Sequence, residues 1–398
     1  MQVNSQIKKL LFMNASSMII FNYIGIFVNL YIWEKDKSIF DVTWFNLVMF
    51  LAWSFAFAIG SRLLSRFSTR LLIRTTAICG GLTFLLLSFL HLDNRLLWIA
   101  IIAIPIGIMW GFYASTQNIT LCVYGKGKDF EGYFSVASII GQLVSIINPI
   151  VFAFIIKWIG YSGSFLLMIL FVGILLTVSF YIPPISLAEA KEPLFRRMRF
   201  SQVFSSRALR WMVPSCLFAG FFLQFQGLFA LIFTFSVSGD KLIIALLNVL
   251  YASSTIAAMT LYRRMKTKEG IWLTVGMLFI SAGFLLPLFP KAPVLIASNI
   301  LTTVGLFYFG TVWNTRQFRV ISQHTAIEQA RILLWREWFL NVSRITMLIL
   351  ILFVKELKGP VFIGLIALAL VSALMIPWFS RKGSDAFEQQ AQAAVLDR

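Results

Sequence analysis

The chain has 398 residues, 59% of them hydrophobic and 13% charged, with a formal net charge of +18. Soluble domains carry about 25% charged residues, so the composition excludes an ordinary soluble fold and defines an all-α polytopic membrane protein. The basic excess sits in short loops between apolar runs, without one contiguous patch or stacking platform, which excludes a nucleic-acid-binding surface.

Twelve apolar runs, each long enough to cross about 30 Å of hydrocarbon, follow one another at 10–33, 41–62, 71–91, 96–122, 132–157, 161–182, 209–236, 242–262, 270–289, 293–315, 333–354 and 359–380. With both termini cytoplasmic, 25 of the 34 Lys and Arg residues fall on the cytoplasmic side, 8 fall outside, and Arg344 lies within the membrane. Clusters such as Arg62/Arg66/Arg70/Arg74 and Arg263/Arg264/Lys266/Lys268 occupy alternate loops, as the positive-inside rule requires. Trp33, Trp44, Trp98, Trp158, Trp211, Trp272 and Trp378 stand near run ends, where interfacial anchors belong. The pattern predicts a six-helix bundle over 1–182, a cytoplasmic linker over 183–208, a second six-helix bundle over 209–382 and a cytoplasmic tail over 383–398. Within the linker, LFRRMRFSQVF mixes apolar residues with three arginines and suits an amphipathic segment at the membrane surface.

The eleventh run, LLWREWFLNVSRITMLILILFV, has a membrane helix's composition yet carries Arg336, Glu337, Asn341 and Arg344. At about 100° per residue, Glu337, Asn341 and Arg344 fall on one narrow face. Arg344 lies near mid-membrane, where an isolated charge costs about 2.5–3.5 kcal/mol on insertion scales. Two readings stay open and are compatible: Arg344 pairs with Glu337 to fix helix packing, or it meets an anionic group on a solute. Glu337 is also the carboxylate best placed to carry a coupling proton, because no Asp or Glu lies nearer the centre of any run.

Three cysteines (Cys79, Cys122, Cys216) lie inside apolar runs, and the two histidines (His91, His324) are far apart. That is neither a disulfide framework nor a metal-ligand pattern, and no metal or cofactor is expected. The chain has no Gly-x-Ser-x-Gly elbow and no phosphate-binding G-x-x-x-x-G-K-[ST] loop, so an enzyme or ATP-driven reading has no support. The fourth and tenth runs echo each other: Gly107, Trp110, Gly111, Tyr113, Gln117 and Asn118 in one, Gly305, Tyr308, Gly310, Trp313 and Asn314 in the other, each before an acidic loop. Parallel repeats of six helices leave such an echo.

Twelve runs, a six-plus-six division, cytoplasmic ends and a basic second loop resemble the major facilitator superfamily over essentially the whole chain. The family's G-x-L-x-D-R-x-G-R-R motif is matched at Arg66 and Arg70, while Ser65 stands where its acid belongs and Ser68 where its second glycine belongs. The loop is similar to a cytoplasmic latch, which here lacks its acid. The fifth run has Gly141 and Asn148-Pro149 in place of the antiporter motif. The pattern R-E-x-x-L-N-x-x-R over 336–344 looks like a poorly characterised bacterial branch of the family.

The resemblance implies a secondary transporter in the bacterial inner membrane, monomeric, moving a small organic solute by alternating access with protons as a candidate coupling ion; an anionic solute is the second of the two readings of Arg344. In the family the first, fourth, seventh and tenth helices line the cavity, with the eleventh beside it. Mapped here, these helices offer Asn22 and Asn29 on one face, the stripe Trp110, Tyr113 and Gln117, one of Gln224 or Gln226, and Tyr308, besides Arg344, Glu337 and Asn341. Each Asn or Gln has an alternative as a helix-knitting hydrogen-bonder. The competing function is a non-transporting sensor or assembly partner that keeps the fold.

Overall fold

The computed structural model describes residues 5–64, 66–125, 128–182, 194, 198–204, 206–265 and 268–396. Backbone polar groups find no water in hydrocarbon, so an apolar chain closes its hydrogen bonds within helices. Among the described residues every regular element is helical. Helix α1 (Ser5–Tyr23) passes through a π-helical turn (Ile24–Val28) into α2 (Asn29–Asp36), followed by α3 (Ile39–Leu64), α4 (Thr69–Phe89), α5 (Arg95–Tyr124) and α6 (Lys128–Tyr181). After the short α7 (Phe200–Val203) come α8 (Arg207–Val237), α9 (Lys241–Arg264), α10 (Glu269–Leu285), α11 (Ala292–Ile321), α12 (Ala326–Ile351) and α13 (Pro360–Leu396).

Ten stretches of helix among the described residues are long and apolar enough to cross a membrane. Two features separate this number from the twelve runs of the sequence. The fifth and sixth runs lie in the single element α6, which is interrupted at Gly160 (φ 72°, ψ 179°). Only glycine adopts that conformation without steric cost, and one such residue suffices to break the helical path. The other feature is α12, which is not among the ten and carries Arg331, Arg336, Glu337 and Arg344.

The helices group by half. In the first, α3 packs on α5, α1 on α6, and α4 on both α5 and α6; in the second, α8 packs on α12 and α13, and α10 on α11 and α13. The halves meet where α6 lies against α9 and α3 against α12. Phe55, Phe89, Leu170 and Phe353 point outward and are largely exposed, the surface a bilayer covers. Gly220 sets the spacing of α8 and α12: a Cβ there would lie 2.5 Å from the Leu340 carbonyl oxygen and 2.7 Å from Ser343 Cβ. Gly220→Ala is therefore expected to push α12 away and to cost about 1–3 kcal/mol, read as a lower Tm of the detergent-purified protein. An unchanged Tm would show that α12 does not bear on α8 this closely.

Two boundaries differ from the sequence reading. The last helix does not stop near 380 but runs to Leu396, with Ala386 buried and Gly383 close to Trp211 of α8. No proline or second glycine follows Gly383 before the helix ends, and the apolar Ala386 and Phe387 keep one face packed. The linker segment, where described, docks on protein: Phe200 lies 5.9 Å from Trp335 and 6.0 Å from Phe339, and Phe204 lies 5.7 Å from Phe339. Leu194 is buried and its carbonyl accepts a hydrogen bond from Arg331 Nε at 2.9 Å. Residues 183–193, 195–197 and 205 of the linker lie outside the described residues.

Candidate functional site

Three charged side chains of α12 meet inside the protein. Glu337 stands between two guanidiniums, with Oε1 3.7 Å from Arg344 Nη1 and Oε2 3.9 Å from Arg336 Nη1. These are ion-pair distances, too long for hydrogen bonds. The two arginines are held very differently. Arg336 turns toward α11, where its Nε donates to Gln317 Oε1 at 2.5 Å and its Nη2 to Asn314 Oδ1 at 2.8 Å. Its Cζ lies 4.8 Å from the Trp313 ring centre, and Trp313 is itself fixed by a hydrogen bond from Nε1 to Ser215 Oγ of α8 at 2.8 Å. Arg336 is thus held by two hydrogen bonds and a ring, all from α11.

Arg344 turns the other way, into the opposite half of the molecule. Its Cζ lies 5.3 Å from the ring centre of Phe50 and 5.6 Å from that of Trp53, both on α3. Among the described residues its hydrogen bonding rests on Asn341 Oδ1, at 3.3 Å. A guanidinium has five N–H donors, so this one is under-used. Beside it, Asn341 Nδ2 and Trp53 Nε1 are buried donors without a partner among the described residues. Two positive charges, one negative charge and two unpartnered donors give the cluster an excess of positive charge and of hydrogen-bond donors.

The rings under Arg344 continue as a column. Phe50 and Trp53 are stacked at 5.1 Å and 11°, Trp53 and Trp110 of α5 at 5.4 Å and 12°, and Trp110 and Phe21 of α1 at 3.9 Å and 19°. Trp110 therefore joins the charged face through Trp53, as Asn341 does through direct contact with Arg344. Its predicted neighbours on the stripe go elsewhere. Tyr113 donates to Asn14 Oδ1 of α1 at 2.5 Å, and Gln117 Nε2 donates to Tyr133 Oη of α6 at 2.6 Å.

The remaining predicted residues sit in helix packing. Asn22 bonds α6, accepting from Asn148 Nδ2 at 3.0 Å and donating to Ser145 Oγ at 3.4 Å. Asn29 does not share its face: it faces α3, accepting from Asn46 Nδ2 at 3.1 Å. The cause is the π-helical turn between them, whose i→i+5 bonding adds a residue and rotates everything after it. Asn29 Nδ2 also donates to the Gly25 carbonyl at 3.0 Å, satisfying backbone within that turn. Tyr308 is buried against α10 and α9, stacked on Trp272 at 4.8 Å with its hydroxyl donating to the Ala258 carbonyl at 3.2 Å. Gln224 is buried on α8. Sequence reasoning missed Phe50, Trp53, Asn314 and Gln317. Trp53 carried a signal, for it stands in mid-run where interfacial tryptophans do not.

Contacts bridge the two halves at both ends. At the end carrying the basic loops, Arg263 Nη2 donates to Ser135 Oγ at 2.8 Å, and Phe318 packs on Phe130 and Phe134. At the other, Lys241 Nζ lies 3.2 Å from Glu34 Oε1 and 5.0 Å from the Tyr161 ring centre. Of the loop-motif arginines, Arg66 is exposed and Arg70 Nε donates to the Ile182 carbonyl at 2.7 Å, a bond within the first half. A cleft of about 200 Å³, lined in part by Trp211, Ser215, Trp313, Arg316 and Gln317, reaches the residues that hold Arg336.

Helices of spanning length, with charge enclosed where the two halves meet, define a multi-pass membrane protein of transporter build. The chain belongs to the Major Facilitator Superfamily, a family of membrane transporters, whose model matches residues 10–333. It is 22% identical over 352 residues to the uncharacterized protein YqgE of Bacillus subtilis (strain 168), covering 85% of this chain and 80% of that one. Among solved structures, it is similar to a POT family transporter in complex with 5-aminolevulinic acid, at 13% identity and a TM-score of 0.70, covering 95% of this chain and 96% of that one. It is similar also to a bacterial homologue of the iron transporter ferroportin in an outward-facing state with soaked iron. That match has 12% identity and a TM-score of 0.65, covering 96% and 100%. At these identities the structures share the fold.

Proposed function

We propose that this transporter carries a small organic anion by alternating access, with Arg344 as the recognition charge and Glu337 as the group that takes up a coupling proton. The observation behind this reading is the imbalance of the α12 cluster: Arg336 has two hydrogen bonds, to Gln317 and Asn314, Glu337 serves both guanidiniums, and Arg344 has one hydrogen bond among the described residues and lies between the two halves. An anion that binds Arg344 loosens its hold on Glu337, which couples solute binding to protonation. In the same reading α6 counts as two crossings about Gly160 and α12 as one, which restores twelve crossings with both termini cytoplasmic. The solute-binding residues are then Arg344, Asn341 and Trp53, with Trp110 behind them, while Asn22, Tyr113, Gln117, Gln224 and Tyr308 support the helices.

The test is a thermal-shift screen of the detergent-purified protein against pooled organic acids and their neutral amides, at one acidic and one alkaline pH. Acids are expected to raise Tm where their amides do not, and the acid-induced shift is expected to change between the two pH values. Equal shifts from acid and amide would reject the anion reading.

A further inference from the structure

The column of rings beneath Arg344 narrows the class of anion. Four rings from three helices, Phe21, Trp110, Trp53 and Phe50, lie with successive planes within 19° of one another. Where α3 meets α12, the guanidinium of Arg344, a cation supplied by the other half, lies beside Phe50 and Trp53 at similar distances from both rings. Aromatic faces attract cations and stack offset with other rings. If the halves part at α3 and α12, Phe50 and Trp53 lose the cation beside them and can receive another ring.

Polar groups around the opening point to the other end of the ligand. Asn341 is 1% exposed, and its Nδ2 has no acceptor among the described residues. Trp53 Nε1 is likewise buried and unpartnered there, and Arg344 has donors in excess. Buried donors left idle are costly, and an incoming acceptor removes that cost. A carboxylate supplies two acceptor oxygens in the plane a guanidinium prefers.

Resting on the anion reading above, we infer that the solute is a planar aromatic carboxylate. Its ring takes the place of the Arg344 guanidinium against Phe50, and its carboxylate is held by Arg344, with Asn341 Nδ2 and Trp53 Nε1 as further donors. A saturated acid of the same size fills the space without the stacking, and a neutral aromatic amide stacks without the charge.

The experiment is titration of the full-length, detergent-purified chain with benzoate, naphthoate, cyclohexanecarboxylate and benzamide, followed by calorimetry and tryptophan fluorescence. The aromatic acids are expected to bind at least about fivefold more tightly than cyclohexanecarboxylate and to quench tryptophan emission. Phe50→Leu, which keeps an apolar side chain at the interface, is expected to remove that preference; Trp53→Phe, which keeps a ring but lacks the N–H, is expected to weaken all carboxylates together. If cyclohexanecarboxylate binds as tightly as benzoate, the aromatic inference fails and the anion reading stands. If benzamide binds as tightly as benzoate, the anion reading fails and this inference with it. Absence of binding by both aromatic acids overturns the inference outright.

Discussion

Glu337→Leu is expected to be the most damaging single substitution in α12, at about 3–5 kcal/mol, because it leaves buried guanidiniums without their counter-charge. The structure makes this loss asymmetric. Arg344→Met leaves Glu337 paired with Arg336 at 3.9 Å, while Arg336 keeps its bonds to Gln317 and Asn314. That variant is expected to lose far less stability, chiefly the contact with Phe50 and Trp53. Combining Glu337→Leu with Arg344→Met removes one charge of each sign and is expected to recover much of the stability, since Arg336 retains two amide acceptors and its place over Trp313. Tm and chemical unfolding of the three variants decide the matter. A Glu337→Leu protein as stable as Arg344→Met would mean that Glu337 does not neutralise both arginines.

Arg344→Lys separates recognition from packing. An ammonium keeps the positive charge near Glu337 but cannot offer the planar fork that a carboxylate prefers. The variant is expected to melt within a few degrees of the unaltered protein and to bind organic acids at least about tenfold more weakly, which is about 1.4 kcal/mol. Unchanged affinity would make Arg344 a packing device and remove it from the solute site.

Much of this was legible in the sequence, and the exceptions have physical causes. Helix positions followed from hydrocarbon thickness, and the charged face of α12 followed from helical periodicity, which placed Glu337, Asn341 and Arg344 together. Arg336 lies off that face; its partners Asn314 and Gln317 belong to α11, and periodicity within one helix does not report on the next. The pairing of Asn22 with Asn29 failed because a π-helical turn has no composition signal, and one extra residue in the ladder redirects all that follow. The stripe on α5 begins at Trp110, which joins the ring column. It diverged further along, because Tyr113 and Gln117 found partners on α1 and α6. The linker's apolar residues were legible as amphipathic, while the contact of Phe200 and Phe204 with Trp335 and Phe339 of α12 depends on the packing of a distant helix.

If the solute uses the rings of Phe50 and Trp53, as proposed, the position of Arg344 makes the protein its own competitor. A solute that needs that ring face must first displace a tethered cation, which no dilution removes. A desolvated contact of this kind is worth about 2 kcal/mol, so it weakens the apparent affinity by about 30-fold. The same side chain reclaims the rings when the solute departs, which hastens release. On that reading, strengthening its grip on the rings would slow loading and speed unloading together.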